Sequence, residues 1–149
     1  MFKKLIKIFE GSNESVEIDS QALFASLLVR AARIDNDYSN QEKFQIEKIL
    51  RSKFNVSEHE AGEIRAAGEL LEGKILDTVQ ITREIKKDIP FEYRKELTKD
   101  LWSIILADEK RTDDENSFMR TCIKLIGVND VDSARARQAV ISKLQSSDN

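Results

Sequence analysis

Cysteine, histidine and proline each occur once in this chain of 149 residues, and glycine only five times. The single cysteine, Cys122, excludes an internal disulfide and any Cys-based zinc site built within one chain. The single histidine, His59, excludes paired-histidine metal motifs and leaves any Ser-His or Cys-His chemistry one candidate base. So little Gly and Pro is poor material for a β protein full of tight turns. No apolar run approaches the ~20 residues that cross a bilayer. Basic charge is not in excess either. The net charge is −3, whereas a nucleic-acid binder carries a basic footprint, so no nucleic-acid partner is expected. No nucleophile–base pair, phosphate loop or cofactor motif stands out, and enzymatic activity is therefore not expected.

What is present is charge. Charged residues make up 34% of the chain and aromatics 7%, a mixture that suits an all-α domain with heavily charged outer faces. The length fits one domain. A chain of this size buries about 68–70% of its unfolded surface and needs no staple to fold. The chain is expected to divide into an N-terminal amphipathic segment and linker (1–18), a helical domain (19–145) and a frayed tail (146–149). In residues 1–9, Lys3, Lys4 and Lys7 alternate with Phe2, Leu5, Ile6, Ile8 and Phe9. A short amphipathic turn of helix is expected there, able at most to touch an anionic membrane surface weakly. It is too short for a signal h-region, so the expected address is the cytoplasm, with peripheral contact to the inner membrane as an option.

Seven helices are expected. Asp19 or Ser20 caps the first, whose apolar stripe is Leu23, Phe24, Leu27, Leu28, Ala31 and Ile34. The others start near Ser39, Ser57, Asp77, Pro90, Thr112 and Asp130 or Asp132. Ser39, Ser57, Asp77 and Thr112 each have Glu or Gln three positions on, the pattern of a capping box. Pro90 suits the first helical position, where its missing N–H is harmless. Ala61, Ile64, Ala67 and Leu71 form the stripe of the third helix, and Val140, Ile141 and Leu144 that of the seventh. Cys122 falls on the apolar stripe of the sixth and reads as a small core residue. Trp102 reads as a packing residue of the fifth, and His59 as solvent-exposed.

Two stretches match. Residues 28–42 read LVRAARIDNDYSNQE and residues 101–115 read LWSIILADEKRTDDE. The alignment pairs Leu28 with Leu101, Asp35 with Asp108, Ser39 with Thr112 and Glu42 with Glu115. Further on, Asn55 pairs with Gly127, the two residue types that best tolerate the left-handed stop of a helix. The repeat suggests a bundle with pseudo-two-fold symmetry.

Each copy puts an Asp at the end of one helix and a Glu seven residues later at the start of the next. Asp37 lies in the first loop, and Glu109, Asp113 and Asp114 lie in or beside the second. Carboxylates gathered at a helix junction suit a hard cation held by oxygen. An EF-hand is excluded: counted from Asp35, the sixth and twelfth positions are Asn40 and Ile46, and from Asp108 they are Asp113 and Met119. Capping explains part of the pattern, since Glu42 and Glu115 have places in capping boxes. Asp35 and Asp108 need another account, because the dipole disfavours an anion at a helix C-terminus. A cation, an Arg or Lys, or turn hydrogen bonds would compensate.

The paired Asp loops, the apolar helices before them and the Leu101-Trp102 step resemble the TerB-like (tellurite-resistance TerB) family over residues 23–137. Many of its members carry an Ala-x-x-Asp-Gly loop twice, with Glu six or seven residues beyond. The resemblance implies a bundle of about seven helices and a cytoplasmic protein of stress or tellurite response that contacts partner proteins without catalysis. It also implies a divalent cation of the Ca²⁺ or Mg²⁺ class at the acidic loops. Carried over, the ligands are Asp35 and Glu42 in the first loop and Asp108 and Glu115 in the second, with Asp37 and Glu109 as further candidates. This chain departs from the family where Gly follows each Asp, having Asn36 and Glu109 instead. Asn36 tolerates a positive φ better than Glu109 does. A metal-free helical adaptor is the alternative.

Overall fold

The computed structural model describes residues 3–7, 15–34, 38–75, 77–107 and 113–147. Among them are seven α-helices, and the expected all-α bundle is observed. They are α1 (Ser20–Arg33), α2 (Asn40–Phe54), α3 (Glu58–Leu70), α4 (Thr78–Asp88), α5 (Phe91–Ala107), α6 (Asp113–Leu125) and α7 (Asp130–Ser147). A hairpin precedes them, in which β1 (Lys3–Lys7) pairs antiparallel with β2 (Ser15–Asp19), Lys3 facing Asp19 and Lys7 facing Ser15. The helical turn expected in residues 1–9 is thus replaced by a strand, and the expected linker ends in one. Val16 and Ile18, two apart between polar residues, were the strand signal. Five residues are too few for a period of two to declare itself against a helix.

Cap chemistry sets the helix starts. The Gln21 amide donates to Asp19 Oδ1 at 2.8 Å, so Asp19, not Ser20, caps α1. Ser39 and Asp77 form complete capping boxes with Glu42 and Gln80, and Ser57 accepts from the Glu60 amide. Thr112 lies outside the described residues. Pro90 stands one position ahead of α5 as its cap, its carbonyl accepting from the Arg94 amide at 3.0 Å. Asn129 caps α7 through the Asp132 amide at 2.8 Å. Asn55 (φ 53°) and Gly127 (φ 77°) are the left-handed stops of α2 and α6, compatible with the two-repeat reading. At the latter, the Val128 amide closes back on Ile123 O at 3.2 Å.

Helix α1 is the axis of the core. Beyond the expected stripe, Ala22, Ala25, Ser26, Val29 and Ala32 are also buried, so the helix is covered nearly all round by α2, α3, α4 and α5. Ser26 is accommodated by donating to Leu23 O at 2.6 Å. Gly68 of α3 makes the closest approach possible: a Cβ there would sit 2.8 Å from Ala25 Cβ and 2.9 Å from the Ser26 amide nitrogen. The stripe of α3 accordingly runs through Ala61, Gly68 and Leu71, and Ala67 is exposed. Helix α7 packs on α5. Val140 is buried, Leu144 is exposed, and Trp102 Nε1 donates to Ser133 Oγ at 3.2 Å with Arg137 over its ring. Helix α7 runs through Ser147.

A π-helical turn, Leu71–Ile75, extends α3 and was not legible in the periodicity. Arg30 of α1 reaches it, donating to Glu72 O and to Thr78 Oγ1 at 2.7 Å each. The extra residue of a π turn redirects the chain and bares a carbonyl, and here that carbonyl is taken up by Arg30.

Candidate functional site: two acidic helix junctions

The α1–α2 junction begins with Arg30 and Arg33 in the last turn of α1, the sign that a helix C-terminus favours. Arg33 pairs with Glu72 at 2.5 Å, and Arg30 Nε lies 3.5 Å from the same carboxylate. Gly73 leaves room for this, since a Cβ there would come within 3.2 Å of Arg33 Nη1. Beyond residues 35–37 the chain re-enters at Tyr38. The Arg33 guanidinium is 5.0 Å from the Tyr38 ring centroid and Lys43 Nζ is 5.1 Å from it, both within cation–π range. The Tyr38 hydroxyl donates to Glu69 Oε1 at 2.8 Å. Burial, reinforced by the Glu69 charge, pushes that hydroxyl well above the usual phenol range. Arg65 bridges Glu69 and Glu47, closing a network between α2 and α3.

Glu42 has work in this junction. Its backbone amide donates to Ser39 Oγ at 3.2 Å, and its carboxylate accepts from the Ser39 amide at 3.3 Å. The two orphan donors of the helix start are thereby satisfied.

At the α5–α6 junction the described residues are the end of α5 and the start of α6. Helix α5 closes with Ile104 and Ile105 buried, and α6 opens on Asp113, Asp114 and Glu115. Asp113 and Asp114 are exposed, where the N-terminal dipole favours them. Glu115 is 3% exposed, a carboxylate inside the protein. Cys122, two turns on in α6, is fully buried, and burial pushes its thiol up to about 12, so it is an inert core residue.

Of the six candidate ligands, Glu42 and Glu115 are each placed in the first turn of a helix. Asp35, Asp37, Asp108 and Glu109 lie outside the described residues. Among the described residues no group of three or more His, Cys, Asp or Glu side chains is gathered as a metal site would require. His59 is exposed and pairs with Glu63 at 2.9 Å one turn on. No helix among the described residues is long and apolar enough to cross a membrane.

The network around Tyr38 was not legible in the sequence. Its signal was present in Arg30 and Arg33, one turn apart at the end of α1, but their partner Glu72 is about forty positions away, beyond the reach of local pattern.

No curated protein and no solved structure matches the chain. The family model for the tellurite resistance protein TerB matches residues 21–138, close to the span over which the acidic loops and their helices carried the resemblance. That match runs from the start of α1 into α7 and includes both junctions, so the chain belongs to the TerB family.

Proposed function

We propose that this protein is a non-enzymatic TerB-like module of the cytoplasmic stress or tellurite response, which holds a divalent cation at its acidic junctions and contacts partner proteins. The observation that carries the cation reading is Glu115, a carboxylate buried at the head of α6 and preceded in sequence by Asp108 and Glu109. An all-oxygen donor set with a buried member suits a hard, partly dehydrated cation of the Ca²⁺ or Mg²⁺ class. Asp108, Glu109 and Glu115 would hold it at the second junction, and Asp35, Asp37 and Glu42 at the first. The cation would supply positive charge at the two helix C-termini, where an aspartate is otherwise disfavoured.

The metal-free adaptor is favoured by one observation at the first junction. There Glu42 already serves a cap, and Arg33 and Lys43 stand beside Tyr38 next to the acidic loop. Titration with Ca²⁺, Mg²⁺, Mn²⁺ and Zn²⁺, followed by melting temperature and calorimetry, separates the two readings. An ion at 100 times its Kd adds ~2.7 kcal/mol of stability. Asp108→Asn is expected to reduce the effect more than Asp35→Asn. No shift with any of the four ions at millimolar concentration overturns the cation reading. A shift that survives both substitutions places the cation elsewhere.

A further inference from the structure

The α4–α6 face carries an open groove of about 430 Å³ whose lining combines apolar and cationic side chains: Val79, Thr82, Arg83, Lys86, Lys87 and Leu125. As sequence, the stretch around Arg83 and Lys86 is an ordinary solvated helix face. The structure places it otherwise. Ile81, Thr82, Glu84 and Ile85 turn inward. Arg83, Lys86 and Lys87 are left along the rim, and Val79 is 54% exposed between them and solvent. The stem of Lys86 passes over the left-handed stop of α6, its Cε within 3.3 Å of where a Gly127 Cβ would be. Leu125 supplies the opposite wall and Lys124 beside it is exposed.

Arg30, Arg33, Lys53 and Arg65 are each tied to a carboxylate, whereas Arg83 and Lys86, like Lys48, Arg51, Lys99, Arg120 and Arg135, are not among the described residues' ion pairs. Among the described residues no carboxylate lies within salt-bridge distance of Arg83 or Lys86, and Lys87 reaches Glu84 only at 3.9 Å. In a chain of net charge −3, these three cations on one apolar concavity form a local field of opposite sign to the whole. Such a surface attracts an anionic partner, and its apolar floor selects one that also brings apolar side chains.

We propose that the α4–α6 groove docks an acidic amphipathic segment of a partner protein, with apolar side chains of the segment against Val79 and Leu125 and its carboxylates on Arg83, Lys86 and Lys87. A membrane surface fits less well, because the apolar residues line a concavity rather than project beyond the cations, and the chain as a whole is anionic. The inference rests on the reading of the domain as a partner-contacting module and is independent of any cation at the acidic junctions.

The test is selection of a random peptide display library on the intact protein. Affinities of the selected peptides are then measured by fluorescence anisotropy and their site by methyl NMR. The expected result is enrichment of peptides rich in Glu or Asp with interspersed Leu or Phe, perturbing the Val79 and Leu125 methyls. Binding should weaken with salt. It should also fall by roughly tenfold or more in the R83E/K86E double variant, whose two exposed substitutions leave the melting temperature unchanged. Enrichment of peptides that map to another face keeps the partner reading and overturns the groove. Failure to enrich any peptide overturns both. Equal binding by the R83E/K86E variant, or binding to phosphatidylglycerol vesicles without peptide enrichment, overturns the proposal as well.

Discussion

Glu42 and Glu115 occupy the same place in two copies of one sequence pattern, seven residues after an aspartate and in the first turn of a helix, yet they live in different environments. Glu42 is half-buried and caps α2 through Ser39, in a junction that also holds Arg33 and Lys43 around Tyr38. Glu115 is buried at the head of α6. A motif shared by two loops therefore does not mean shared burial. Surrounding helices decide how far its carboxylate is withdrawn from water, and with that the energetic cost of its charge.

The sharpest way to break this comparison is charge reversal at both positions. Glu115→Lys puts an ammonium where a carboxylate is enclosed and is expected to cost about 3–5 kcal/mol, the range for disrupting a buried charge. Glu42→Lys loses a cap contact beside Lys43 and is expected to cost about 1 kcal/mol. Chemical denaturation of the two variants checks this, and equal losses would remove the distinction between the junctions.

A second comparison joins the two halves at one ion cluster. Lys53 of α2 lies 2.6 Å from Glu96 and 3.4 Å from Asp100 of α5. Burial raises the Asp100 carboxyl to about 6 although Lys53 pulls it down. The same two carboxylates raise Lys53 above its ordinary value against the effect of its burial. With its folded value above its ordinary 3.8, Asp100 holds a proton in the folded state that it releases when unfolded. Its contribution to stability is thus complete below about 3.8 and is lost as pH rises through about 6. Asp100→Asn removes this titration. Between pH 4 and pH 7 the stability of the unsubstituted protein is expected to fall relative to the variant by about 2–3 kcal/mol. Parallel pH profiles would show that Asp100 is not held in this state.

The smallest expected effect isolates the cap itself. Ser39→Ala removes the acceptor for the Glu42 amide and should cost about 1 kcal/mol by thermal melting. If Glu42 serves only the cap, Ser39→Ala and Glu42→Ala combined should cost less than the sum of the two alone. Additive losses would point to a second partner for Glu42.

Much of the fold was legible because its signals are local. Ser39, Ser57 and Asp77 act on amides two or three residues on, and Asn55 and Gly127 stop helices through their own backbone, so the elements follow from short stretches of chain. The hairpin was not legible, since five residues of alternation in β2 gain meaning only when β1 pairs with them. The π turn was hidden for a related reason, its carbonyl and carboxylate being answered by Arg30 and Arg33 of a distant helix. The candidate ligands were legible as a list of oxygens, but their environments were not.

By itself, then, the sequence determined seven helices, the caps of the first four, a repeated acidic pattern and the restriction of any bound metal to oxygen ligands. These follow from residue type and spacing along one chain. Only the tertiary structure decided that α1 is covered on nearly every side, that Gly68 must stay small against Ala25, that Glu115 is enclosed while Glu42 is not, and that Arg83 and Lys86 border an apolar groove. Burial and charge pairing depend on which helices meet across the bundle, and that meeting is a property of the packed core rather than of any local stretch.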